Sequence, residues 1–419
     1  MLAKKFLASA ANAKYTLISI VLVTNAFVWY YFVIEMLKAI VNTAQIDQST
    51  TLLIWVLHFG GMSFSALLGA SLAKKVKDRT RFILLWMLSG VILSVISIGM
   101  NLTYIPNILA LSLLFGVSLG LGMPICMGYF TQNVTVEKRG RVGGIIFLLS
   151  GLTIVVLGIA AGADIGLQTI ILSGWRVFGF VIFLVFLKFW PLKEIVEQSK
   201  PVTYKSLLNQ RSFLLYFIPW ILFSLITDLT IPIQTNIIQT MQANAVNIPS
   251  AEYLRSVENI FTAVFAIIGG FLTDFIGRKR MSIVGFALLG LAYSVLGIYP
   301  ENPFSWYFYT VVDGISWGIL FVIFVITIWA DISHDSPSEK YYALGVLPFF
   351  ISYFLRLIIG SDIAAAIPNE AIFSFTAFFL FLAVLPLVYA PETLPEKHIK
   401  DRELKGYLEK AQKVKEKYS

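Results

Sequence analysis

The chain has 419 residues, of which 58% are hydrophobic and only 13% charged, with a formal net charge of +8. Its mean hydropathy is +0.79. Soluble domains carry about a quarter charged residues, so this composition excludes a soluble enzyme, a nucleic-acid-binding module and a disordered scaffold, and makes lipid the solvent for most of the chain.

A bilayer-spanning helix needs about 20 mostly apolar residues. Twelve such runs follow in order: 15–37, 51–73, 82–100, 105–130, 143–163, 175–190, 212–235, 255–274, 281–299, 305–330, 342–366 and 370–390. The first is too long for a signal-peptide core and lacks a small-residue cleavage site, so it is expected to stay as an anchor. The sixth is short, and its start can be placed earlier, near Thr169. Long continuous runs exclude a barrel, whose strands alternate over about ten residues. Trp29, Trp55, Trp175, Trp190 and Trp306 fall near the ends of these runs, where an interfacial aromatic belt is expected.

Orientation follows from the bases. With the N-terminus inside, all of the 32 Lys and Arg except Lys38, Arg176, Arg255 and Arg356 fall in inside segments. The positive-inside rule then places both termini in the cytoplasm. The basic residues lie between apolar runs rather than along one face, which removes nucleic acid as a partner. The sequence divides into six-helix halves, 1–190 and 212–390, with a cytoplasmic linker at 191–211 and a charged tail at 391–419. The single cysteine, Cys126, cannot form an intrachain disulfide and is expected to pack in an apolar helix. No residue set has metal-ligand spacing and no nucleotide loop appears, so no metal or cofactor is expected.

A loop signature repeats at an offset of 200. Gly270, Asp274, Gly277, Arg278 and Lys279 close the eighth run and open the ninth; Gly69, Leu72 and Arg79 answer Gly269, Leu272 and Lys279. Glu137-Lys138 before the fifth run answers Glu339-Lys340 before the eleventh. Equal helix counts with equal loop signatures imply a duplicated unit. With these residues the chain resembles the major facilitator superfamily over residues 15–390. Arg139-Gly140-Arg141 is similar to that family's four-to-five loop, Gly174-Trp175-Arg176 to its start of helix six, and Pro391-Glu392-Thr393 to the ending of its sugar-porter branch. The resemblance implies an all-α polytopic fold of twelve transmembrane helices, 6+6 pseudo-symmetric with 3+3 inverted repeats. It also implies secondary transport of a small organic solute by alternating access, coupled to protons. The implied setting is the plasma or inner membrane, with lipid as the surrounding partner and a monomer as the working unit. A non-transporting receptor on the same fold and an uncoupled facilitator are the alternatives.

The first signature copy departs from the pattern, with Lys74 in place of the acid, Lys77 of the glycine and Asp78 of the arginine. In the family fold the two-to-three loop approaches the start of helix eleven, and the eight-to-nine loop the start of helix five. Lys74, Lys75 and Lys77 would then oppose the acidic ten-to-eleven loop (Asp331, Asp335, Glu339), and Asp274 would oppose Lys138, Arg139 and Arg141, as a charge latch on the cytoplasmic gate. Plain positive-inside charge is the competing explanation, and exposed pairs are worth only about 0.2–1 kcal/mol each.

Ionisable residues at membrane depth are costly and face cavities. Asp228, Asp313 and Arg356 are the central set, read as a proton- or substrate-binding group with Arg356 as a switchable partner. The competing reading is a static ion pair holding helices together. Helical spacing adds cavity candidates: Asn25 with Trp29, Ser224 with Asp228, and Trp317 with Asp313. Glu35, Glu258 and Asp362 lie near run ends and are expected to be solvent-exposed; His58 is expected to make one structural hydrogen bond.

Overall fold

The computed structural model describes residues 2–44, 46–73, 78–162, 164–189, 202–334, 336–366 and 369–394. Lys74, most of the 191–211 linker and the tail beyond residue 394 lie outside the described residues.

Among the described residues, twelve helices are long and apolar enough to cross a membrane. They are α1 (Leu2–Thr43), α2 (Gln48–Leu72), α3 (Arg79–Gly99), α4 (Ile105–Asn133), α5 (Arg139–Ala161), α6 (Ile165–Phe189), α7 (Arg211–Ala243), α8 (Ala251–Ile276), α9 (Arg278–Ile298), α10 (Pro303–Ser333), α11 (Glu339–Ala366) and α12 (Asn369–Tyr389). The chain is a multi-pass membrane protein built from helices, as an apolar solvent without hydrogen-bonding partners requires. Several elements outrun their apolar windows, α1 (Leu2–Thr43) most of all. The sixth helix begins at Ile165, ten residues before the predicted run. Helix α7 continues through the polar stretch Gln234–Thr240 to Ala243; there Gln234, Ile237 and Ile238 pack inward while Asn236, Gln239 and Thr240 stay exposed.

The two sets of six helices repeat one packing scheme. In the first set α1 packs on α5 and α6, α2 on α4, and α3 on α4 and α6; in the second α7 packs on α11 and α12, α8 on α10, and α9 on α10 and α12. The sets meet chiefly through α5 against α8 and α2 against α11. Small residues permit the closest of these contacts. A Cβ on Gly140 would strike the Gly270 carbonyl, and one on Gly270 the Gly140 carbonyl, so α5 and α8 touch backbone to backbone.

Inside α10 the turn widens to a π-helix over Val322–Thr327. Such a segment loosens the regular ladder of backbone bonds. The indole of Trp329 donates to the Phe324 carbonyl and the hydroxyl of Tyr342 to the Ile326 carbonyl.

Three of the five tryptophans expected in an interfacial belt do not face outwards, and Trp190 lies outside the described residues. Trp29, Trp55 and Trp306 are buried inside the helix packing. Their ring N–H groups explain part of this: Trp29 donates to Ser94 Oγ at 2.9 Å and Trp306 to the Pro300 carbonyl at 2.8 Å. Cys126 is buried and free, and His58 Nδ1 lies 2.9 Å from the Ser112 carbonyl.

Candidate functional site

Three clusters of charged residues are built by this packing: a network at the basic end of the bundle, an ion pair at mid-depth, and a pair of acids nearer the opposite end.

The basic-end network joins the two halves. Asp274, at the end of α8, is fully buried. Its carboxylate accepts from the backbone N–H of Gly140 and of Arg141, each at 2.9 Å, from Arg141 Nε at 3.1 Å, and pairs with Arg278 at 3.0 Å. The two backbone donors are first-turn N–H groups of α5, so Asp274 caps that helix and meets the positive end of its dipole. Asp331, on α10, accepts from Arg139 Nη1 at 2.8 Å and from Arg278 Nε at 2.9 Å. The remaining N–H groups of Arg278 reach the Thr273 carbonyl at 2.8 Å and the Val136 carbonyl at 2.6 Å. Gly277 turns the chain at φ +111°, a conformation that side chains with a Cβ rarely adopt, and a Cβ would also strike the Glu392 carboxylate. Glu392 occupies that space and accepts from the N–H groups of Arg278 at 2.8 Å and Lys279 at 3.2 Å. Lys279 Nζ donates to the Val388 carbonyl at 2.7 Å. On the other side of the bundle Arg79 pairs with Glu339 at 2.9 Å.

Opposed charges at this end therefore do meet across the halves, with two differences from expectation. The acids of these pairs, Asp274, Asp331 and Glu339, are buried, not exposed. Asp331, expected opposite the two-to-three loop, holds the centre of the network instead, and Glu392, which carried no assigned role, holds one edge. The acidic character of the ten-to-eleven loop was visible in sequence, but its partner was not: Asp331 faces Arg139 and Arg278, not the two-to-three loop.

At mid-depth Asp228 sits near the middle of α7, a helix about 50 Å long, buried to 2% exposure. It pairs with Arg356 of α11 at 2.8 Å and accepts from Ser352 Oγ at 2.7 Å. The Arg356 guanidinium also lies 4.0 Å from the Tyr353 ring centroid. Tyr353 meets Phe59 of α2 across the seam between the halves, with centroids 5.8 Å apart. Towards the basic end, an aromatic layer crosses the same seam: Phe27 of α1 on Phe147 of α5, Phe147 on Phe321 of α10, and Phe321 on Phe349 of α11. Trp317 packs on Phe223 and Phe321 at centroid distances of 4.6 Å. Phe59 and Phe223 are buried, but the other seam aromatics remain partly exposed, so they border a space between the halves rather than a sealed core. Ser224 is buried one turn from Asp228, and its hydroxyl has no partner.

Asp313 does not join this group. It is buried to 1% exposure on α10 and faces Glu258 of α8 at hydrogen-bonding range. Glu258, expected in solvent, is partly buried, because Gly314 lets α10 press onto α8: a Cβ there would lie 2.6 Å from the Glu258 carbonyl oxygen.

Asn25 and Trp29 also lie elsewhere than expected. They face the interior of the first half, not the space between halves. Asn25 accepts from Arg176 Nη1 at 2.9 Å and donates to the Trp175 carbonyl at 2.8 Å. Arg176 is fully buried and sandwiched between the rings of Trp29 and Trp86, at 4.3 and 4.6 Å. Arg176 was visible in sequence as a base inside the membrane, but its aromatic partners are spread over two other helices.

A twelve-helix bundle with paired six-helix sets, joined by a buried charge network at one end, defines a class of membrane proteins. The match with solved structures makes it specific. The chain is similar to the human organic anion transporter MFSD10 (TETRAN), with TM-score 0.62, 13% identity, and coverage of 90% of this chain and 99% of that one. It is likewise similar to the proton:xylose symporter XylE of the major facilitator superfamily, bound to 6-bromo-6-deoxy-D-glucose, with TM-score 0.62, 15% identity, and coverage of 92% and 97%. The protein has the major facilitator fold. No family model matches the sequence, and no curated protein matches it.

Proposed function

We propose that the protein is a secondary transporter that moves a small organic solute by alternating access, coupled to protons. The basic end faces the cytoplasm with both termini, the working unit is a monomer, and the setting is a cell membrane. The single observation that carries this reading is the Asp228–Arg356 pair, held near the middle of α7 and beside the space between the halves. A buried pair has strong mutual attraction but a large desolvation cost. A solute that supplies its own charge or hydrogen bonds to Arg356 therefore competes for the pair on near-even terms. The partly exposed aromatics on both halves favour a solute with a flat or ring-bearing body.

In this reading the aromatic layer and the basic-end network together keep the solute space closed to the cytoplasm. Inward opening then means separating α5 from α8 and rehydrating the charges of the network. The two fold relatives, one an organic anion transporter and the other a proton:xylose symporter, support transport of a small solute and leave its chemical class to be measured.

The test is a thermal-shift screen of organic acids, amines and sugars on the purified protein. Hits are then taken to liposomes for uptake with and without a proton gradient. Gradient-stimulated accumulation is expected. Binding without any solute flux would overturn the transport reading in favour of a receptor, and flux indifferent to the gradient would make the protein a facilitator.

A further inference from the structure

Most of the polar chemistry in the second half lies outside the Asp228–Arg356 pair. Around Asp313 and Glu258 the buried polar groups form a connected set. Tyr309 Oη donates to Tyr293 Oη at 3.1 Å. Tyr293 Oη lies 2.9 Å from Thr230 Oγ1, and Gln234 Nε2 donates to both tyrosines, at 3.1 and 2.9 Å. Tyr309 Oη lies within hydrogen-bonding reach of Asp313, and Arg255, one turn before Glu258, is a cation within electrostatic reach of both acids. Thus α7 contributes Thr230 and Gln234, α8 contributes Arg255 and Glu258, α9 contributes Tyr293, and α10 contributes Tyr309 and Asp313.

Within this set Asp313 Oδ1 is buried and has no hydrogen-bond donor. Two carboxylates facing each other have acceptors only; a hydrogen bond between them requires a proton on one. The Tyr309 hydroxyl, though within reach of Asp313, donates its proton to Tyr293. A proton is therefore the ligand that this pair lacks. It also has a route. Glu258, Arg255, Gln234, Thr235, Trp306 and Thr310 line a cavity of about 20 Å³, enough for a water molecule, towards the end of the bundle opposite the basic network.

We infer that Glu258 and Asp313 form a proton-carrying carboxyl pair, separate from the Asp228–Arg356 site and loaded through the adjoining water-sized cavity. The proton sits in an O–H···O bond between the two carboxyls. When it leaves, it passes to water in that cavity, and the pair is left with two negative charges whose nearby cation is Arg255. Like charges at contact distance repel in a buried site, so the emptied pair favours separation of α8 from α10 and entry of water.

The route to the solute site is α7. Asp228 lies one turn from the Thr230–Gln234 segment that holds Tyr293 and Tyr309, so a change at the carboxyl pair is felt on the helix that carries Asp228. This deepens the transport reading and rests on it only for the coupling step; the proton site itself stands on the geometry of α8 and α10.

The test is infrared titration of the purified full chain in lipid nanodiscs, using pH as the only probe. The wild type is expected to show the carbonyl stretch of one protonated carboxyl that disappears as pH rises. Asp313→Asn and Glu258→Gln should each remove it from the same pH range, because an amide donates to the remaining carboxylate and takes the place of the proton. Asp228→Asn should keep it. Glu258→Asp, which retains both acids at altered spacing, should keep the band and shift its midpoint, and thermal melting checks that each variant is folded. Absence of a titrating band in the wild type, or its persistence in both amide variants, would overturn the assignment. If the band behaves as expected but no solute moves in liposomes, the proton site stands and the transport reading fails.

Discussion

Replacing Asp331 by Asn should open the basic end. In the closed form Asp331 neutralises two buried guanidiniums, those of Arg139 and Arg278, at 2.8 and 2.9 Å. The Asn side chain keeps the shape but loses the charge, and turns an N–H towards one arginine. Removing one partner from a buried ion pair costs about 3–5 kcal/mol, because the remaining charge is left without compensation. The cost falls on the closed form alone, since separation of α5 from α8 returns both arginines to water. At about 1.4 kcal/mol per factor of ten, the closed form loses about two to three and a half powers of ten. A closed form favoured by about 100-fold would fall to parity or below.

The assay is a distance measurement between spin labels on the two halves. Thr135 and Arg280 are exposed at the basic end and accept labels as Thr135→Cys and Arg280→Cys in a Cys126→Ala background. Asp331→Asn should move the distribution to longer distances. Adding Arg139→Met should recover part of the short component, because Arg139 is the guanidinium left without an acid, whereas Arg278 keeps Asp274. An unchanged distribution in a folded Asp331→Asn protein would falsify the idea that this network holds the end closed.

Three further outcomes follow. Asp228→Asn should lower stability by about 2–3 kcal/mol on thermal melting, less than for a fully sealed pair because the Arg356 side chain keeps 16% exposure; solute flux in liposomes should fall to background. Gly140→Ala should push α5 from α8, at a cost of about 1–3 kcal/mol for overpacking, and lengthen the same spin-label distance without touching any charge. Arg176→Met should fold with a melting temperature close to wild type, since an apolar residue of similar volume replaces a buried cation without an acid partner, whereas Arg176→Ala should lose the packing as well as cation–π contacts of about 2 kcal/mol and melt markedly lower.

The twelve spans were legible because lipid imposes one rule, a long apolar helix, on every segment. The signature Gly277-Arg278-Lys279 was legible because a tight turn has a local cause, the positive φ of Gly277. The partners of these residues were not. Asp331 is 53 residues from Arg278 and 192 from Arg139, and no local pattern ties them together. Helical spacing also misled where it gave a shared face without saying what that face meets. Asn25 and Trp29 do share one, but it turns to Arg176. Glu258 read as an end residue because its depth was counted along its own helix. What buries it is Gly314 on another helix, a close approach with no trace in the spacing of α8.

The Arg176 clamp also bears on the order of biosynthesis. An arginine at the centre of a spanning helix raises the cost of insertion by about 2.5–3.5 kcal/mol. The groups that offset it, Asn25, Trp29 and Trp86, all precede Arg176 in the chain and belong to α1 and α3. When α6 leaves the ribosome its partners are already made, whereas α6 inserted alone would have nothing to receive its guanidinium. The last helix of the first half thus depends on helices already in the bilayer, and its docking completes that half before the acid-bearing helices of the second half are synthesised.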